Sequence, residues 1–135
     1  MSSITEENKK VVIRFNKEFI QSGNAAVLQE LVADGFINHT AAANFPKDIS
    51  GLINFVGALN KGLPDLQVEI HEQIAEGDIV ASRKTIHGTH LGEFMGKAAT
   101  GKKVTINVMD FVRLKDGKYT DHWGNNNLML VLQSL

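Results

Sequence analysis

The chain has 135 residues, 43% of them hydrophobic, a formal net charge of −1 and no cysteine. That length suffices for one domain with its own core, and the absence of cysteine removes disulfides, thiolate catalysis and cysteine-ligated zinc. Near-neutral charge without a Lys/Arg cluster leaves no electrostatic footprint for nucleic acid. The polar, acidic start MSSITEENKK does not read as a signal peptide. No stretch approaches the roughly 20 apolar residues of a membrane span. The expectation is a cytoplasmic domain over residues 1–135, with neither nucleic acid nor membrane as partner.

Thr5 with Glu6-Glu7 predicts a helix start, the acids lying at the positive end of the dipole. Val12, Phe15 and Phe19 recur at helical spacing and Gly23 stops the helix. Asn24 caps a short second helix carrying Val27, Leu28, Leu31 and Val32. Asp34-Gly35 breaks it, residues 36–39 form a short extended segment and 40–47 a loop. A third helix starts at Asp48 or Ser50 and ends at Asn60, with Leu52, Phe55, Val56 and Leu59 as its apolar stripe.

After Pro64 the period changes from helical to alternating. Leu66, Val68 and Ile70 alternate with Gln67, Glu69 and His71, a strand continuing toward Ala75. Gly77-Asp78 is a turn, residues 79–90 a second strand and 91–103 a Gly-rich loop. Two further strands span Val104 to Asn127 around a tight turn at Asp116-Gly117, and residues 128–132 close the chain. Helices followed by long antiparallel strands give an α+β fold. Helices covering one face of a curved sheet leave a concave apolar cavity, the usual place for a small molecule.

Val104, Ile106, Val108, Val112 and Leu114 share one strand parity, and Asp110 shares it too. A carboxylate on an apolar face must be paired, protonated or used. The next run brings His122 and Trp123, then Gly124 and three asparagines.

The chain resembles the SnoaL-like polyketide cyclase and ester cyclase group of the nuclear transport factor 2-like superfamily. The resemblance rests on Phe15-Asn16, Phe36-Ile37-Asn38-His39, Ser50-Gly51, Pro64-Asp65-Leu66 and Gly77-Asp78. It continues through Gly88-Thr89-His90, Gly92-Glu93-Phe94-Met95-Gly96, Thr100-Gly101-Lys102, Asp116-Gly117-Lys118 and Asp121-His122-Trp123. It implies a cone-shaped, mainly antiparallel α+β barrel that dimerises through its open sheet face. It also implies an intramolecular aldol ring closure on a small carbonyl compound, with side-chain acid/base chemistry and no cofactor. The key aspartate of the cyclases falls at Gly124 here, and that of the ester-cyclase-like relatives at Asn127. Asp110 and Asn38 match pocket-lining polar positions.

Asp110 is thus the candidate general acid or base, an apolar wall raising its carboxyl pKa. The competing reading is a structural acid paired with Arg83. His122 is its candidate partner, passing a proton or holding an oxyanion; otherwise it is a half-exposed strand histidine. Asn38 and Asn125 are candidate hydrogen-bonding groups, and Phe55, Leu59 and Met95 candidate walls. Trp123 is a candidate stacking wall, although strict alternation turns it away from His122. Phe94-Met95 lies where a loop closes the cavity mouth. His39, His87 and His90 have no compact metal-ligand spacing, and His71 falls on the polar side of its strand. Three readings result: a cofactor-free cyclase, isomerase or lyase; a binding domain for an apolar or carbonyl-containing ligand; and a dimeric interaction module.

Overall fold

The computed structural model describes residues 3–135. Helix α1 covers Ile4–Arg14 and widens into a π-helical stretch, Phe15–Gln21. Its N-cap is Ser3 rather than Thr5: the Ser3 hydroxyl accepts from the Glu6 amide at 3.2 Å. The wide turn, a form common at functional sites, buries Phe15, Asn16, Phe19 and Ile20 together. Gly23 ends it at φ 70°, and Asn24 caps the next turn through the Ala26 amide at 3.1 Å. Helix α2 (Leu28–Leu31) follows, then strand β1 (Val32–Asn38). The break expected at Asp34-Gly35 is instead a slip in register between Val32 and Ile37. The backbone stays extended there while it leaves the ladder.

Asp48 caps helix α3, Ile49–Gly62. Strands β2 (Gln67–Glu76), β3 (Ile79–Thr89), β4 (Lys103–Lys115) and β5 (Lys118–Asn126) form antiparallel neighbours. With β1 parallel to β5, the sheet runs β1-β5-β4-β3-β2. Helix α4 (Leu128–Gln133) closes the chain. No helix among the described residues is long and apolar enough to cross a membrane.

Alternation on β4 holds as expected: Val104, Ile106, Asp110, Val112 and Leu114 are buried. The opposite side of β4 presents Met109 and Phe111, 64% and 55% exposed. Two bulges alter the simple parity. One on β2, between Ile70 and Glu72, turns Ile74 outward. The other, on β5, inserts Thr120, because Leu114 pairs with Tyr119 whereas Arg113 pairs with Asp121. An extra residue re-aims every side chain before it, so Tyr119 and His122 both face inward.

The loop after β3 is anchored. His90 is fully buried, its Nε2 at 3.1 Å from the Lys97 carbonyl and its Nδ1 at 2.9 Å from the Thr100 hydroxyl. Phe94 is also fully buried and packs on Gly62, where a Cβ would lie 2.5 Å from the Phe94 Cβ. Phe94 is therefore core and not a mobile lid. Gly62→Ala should destabilise the fold by about 1–3 kcal/mol through overpacking. Gly57→Ala, on the same helix with nothing within 4 Å of a new Cβ, should stabilise it by up to about 1 kcal/mol. Urea unfolding of both variants checks the pair.

Candidate functional site

Between the helices and the inner sheet face lies a cavity of about 810 Å³. Phe15, Phe36, Phe55, Leu59, Ile106 and Leu128 supply apolar wall. Exposed Asn44, Asn125 and Asn126 mark the outer end, and buried Lys84, Asp110 and Tyr119 the deep end.

Strand register assembles the deep end. Asp110 stands opposite Ser82 on β3 and Gly124 on β5. Lys84 and His122 are each two residues along from those partners, so both reach Asp110 diagonally. The Lys84 ammonium and His122 Nε2 both lie 3.2 Å from Asp110 Oδ2. Lys84 also donates to Asn16 Oδ1 at 2.7 Å, and the Asn16 amide donates to the Val12 carbonyl at 2.8 Å. His122 Nδ1 lies 2.9 Å from Asn38 Oδ1. The Thr40 amide donates to that same Asn38 oxygen at 3.3 Å, which fixes the orientation of the Asn38 side chain. Both imidazole nitrogens thus face oxygen atoms, which fixes the plane of the ring.

Burial acts to raise the Asp110 pKa, but Lys84 and His122 outweigh it and hold the carboxyl at about 2. The expected upward shift is therefore corrected: Asp110 is a fixed anion at neutral pH, and its partner is Lys84, not Arg83. Arg83 pairs on the outer face with Glu72 at 2.6 Å. Burial, reinforced by the Asp110 charge, pushes the Tyr119 hydroxyl well above the usual phenol range.

The cavity wall includes Asn38, Phe55, Leu59, Met95, Asp110, His122 and Asn125, as anticipated. Trp123 is not among them. It stacks on His39 at 4.7 Å, with the Arg113 guanidinium 5.4 Å from its ring; alternation turns it to the outer face. Gly124 does face inward: a Cβ there would meet His122 Cε1 at 3.0 Å and the Asp110 Cβ at 3.3 Å. Asn127 is structural, its side-chain oxygen accepting from the Asn107 amide at 2.8 Å. His39, His71 and His87 have separate partners in Asp121, Thr85 and Glu69.

Three residues were missed. Lys84 shares the parity of Val80, Ser82 and Ile86, a signal as plain as that for Asp110. Asn16 lies within the apolar stripe of the first helix. Tyr119 was concealed by the bulge at Thr120.

The profile of the SnoaL-like polyketide cyclase family matches residues 10–135. The chain belongs to that family. Its fold also matches a candidate SnoaL-like polyketide cyclase from Jannaschia sp. CCS1, at 28% identity and TM-score 0.82, covering 98% of this chain and 94% of that one. IdmH, a candidate polyketide cyclase from Streptomyces antibioticus, matches at 27% identity and TM-score 0.79, with 93% and 96% covered. AclR, a candidate hydroxylase from Streptomyces galilaeus, matches at 26% identity and TM-score 0.82, with 97% and 98% covered. Among curated proteins none matches.

In this SnoaL-like chain the Asp110 carboxyl pKa lies below its unfolded value, so ionisation favours the folded state. That contribution, about 2 kcal/mol, is complete above about pH 4 and is lost as pH falls toward about 2. Asp110→Asn leaves Lys84 unpaired and should lower stability at pH 7 by about 3–5 kcal/mol. The gap to the parent should narrow as pH falls through that window. Denaturant unfolding across the acid range checks this; a gap independent of pH would refute the assignment.

Proposed function

We propose that the chain is a cyclase, isomerase or lyase acting without a cofactor on a small, partly apolar carbonyl compound. The observation that carries this reading is the Lys84–Asp110–His122 cluster at the deep end of an apolar cavity. Membership of the cyclase family supports it.

An aldol-type closure needs only proton movement. The α-carbon releases a proton and its electron pair forms a bond to a second carbonyl carbon. The carbonyl electron pair moves to oxygen, which takes up a proton; nothing is oxidised or reduced. His122 is the group proposed to take the α-proton and then give that proton to the oxygen. Asp110 holds the imidazole in place and balances its charge, while Lys84 and Asn38 flank the oxygen that becomes negative. In this assignment Asp110 is a positioning residue, because its carboxylate is committed to Lys84 and His122.

Exchange of α-protons in heavy water, followed by NMR on a panel of linear dicarbonyl compounds, tests the chemistry before a product is known. His122→Gln should slow exchange by roughly 100-fold or more; unchanged exchange would remove His122 from the mechanism.

A second reading, a binding domain that leaves its ligand unchanged, is favoured by Gly124 and Asn127 standing where relatives carry carboxylates. Recovery of a converted compound would reject it.

We also propose a homodimer through the outer sheet face, where Met109 and Phe111 are exposed beside Trp123. Phe111→Asp should shift the sedimentation coefficient from dimer to monomer; an unchanged value would place the interface elsewhere.

A further inference from the structure

The titratable side chains on the cavity wall are Lys84, Asp110, Tyr119 and His122, and they share its deep end. Lys84 and Asp110 form an ion pair there, with His122 beside the carboxylate. The deep end is therefore the polar terminus of an otherwise apolar enclosure, where polar groups need partners.

The hydrogen-bond inventory points the same way. An ammonium has three donors; Asn16 and Asp110 take two from Lys84, which leaves one. Tyr119 is held rigidly, its ring stacked on Phe15 at 4.3 Å. Among the described residues, the sealed side-chain atoms without a partner are Ser82 Oγ and Asp110 Oδ1. The Tyr119 hydroxyl is not one of them and makes no hydrogen bond to those residues. It therefore opens on the cavity that its ring lines. Burial keeps it protonated, so it offers a donor and no charge.

We infer that the deep end of the cavity takes an ionised oxygen. The ligand is a compact, partly apolar compound bearing an acidic enol or phenol, bound as its anion against Lys84, His122 and the Tyr119 hydroxyl. The free Lys84 N–H and the Tyr119 O–H donate to that oxygen. An ionised oxygen is the stronger acceptor for both donors, whereas a methyl ether accepts weakly and a cationic ligand offers no acceptor. This deepens the cyclase-like reading by naming a substrate class, and it rests on that reading for the cavity being the substrate site.

Two probes of one skeleton test it: 7-hydroxycoumarin, whose phenol ionises with a change in absorption, and 7-methoxycoumarin, which cannot ionise. At a pH where free 7-hydroxycoumarin is mainly un-ionised, the bound form should absorb as the phenolate. It should also bind about tenfold or more tightly than the methoxy compound, a ratio expected for about 1.4 kcal/mol. Lys84→Gln should remove most of that preference, and Tyr119→Phe should weaken phenolate binding by about three- to tenfold. The unmodified protein alone decides the matter should Lys84→Gln fail to fold. Equal binding of the two coumarins, a bound spectrum of the un-ionised phenol, or no saturable binding of 7-hydroxycoumarin would each overturn the inference. The assay reads binding without turnover. Failure to find a cyclisation substrate would therefore count against the enzyme reading and leave this result standing.

Discussion

The negative charge of Asp110 is the constraint around which the inner sheet face is arranged. It lies on a strand whose other inward residues are apolar, with only 7% of its surface exposed. A carboxylate in that setting persists only with cations and donors at hand. The chain brings them from separate elements, Lys84 from β3 and His122 from β5, and holds each from behind with an amide oxygen, Asn16 of the widened helix for Lys84 and Asn38 of β1 for His122. The cluster therefore ties the helical layer to four strands. Breaking it harms the fold and the proposed chemistry together, so loss of activity in an Asp110 variant would not by itself define a role.

Position 124 sets how closely His122 can lie against Asp110. A Cβ at Gly124 would press on His122 Cε1 at 3.0 Å. The glycine thus makes room for the imidazole to lie against Asp110. A carboxylate at 124 and the observed His122–Asp110 pair compete for one space. The bulge at Thr120 belongs to the same solution. It lets β5 present Tyr119 and His122 on one side while the turn at Asp116-Gly117 keeps its tight two-residue form.

Much of this was legible before the structure. The order of elements, the caps at Asn24 and Asp48, and the parity that places Asp110 among apolar neighbours follow from period and turn chemistry. The pairing of Asp110 with His122, and the turning away of Trp123, follow from the same alternation. The sign of the Asp110 pKa shift did not follow. Burial alone predicts an upward shift, and the decision rests on two cations, one of them in a strand distant in sequence. Lys84 carried a readable signal in its parity with Val80 and Ile86. Tyr119 carried none, because a one-residue bulge reverses parity without a residue type that announces it.

The motif most specific to the family is scaffold rather than chemistry. Within Gly88–Lys102, His90 and Phe94 are fully buried and pin the loop to α3 and to its own backbone; Met95 alone of that trio reaches the cavity wall. Such a motif preserves a cavity of a given shape without fixing what happens inside it. AclR, a fold neighbour at similar identity, is a candidate hydroxylase rather than a cyclase, as expected where function resides in sites carried by a shared fold. For this chain the chemistry must be argued from the few ionisable groups at the deep end of the cavity. A carboxylate held low by its partners, with an ammonium and a protonated phenol beside it, favours stabilising a negative oxygen over abstracting a proton with a carboxylate.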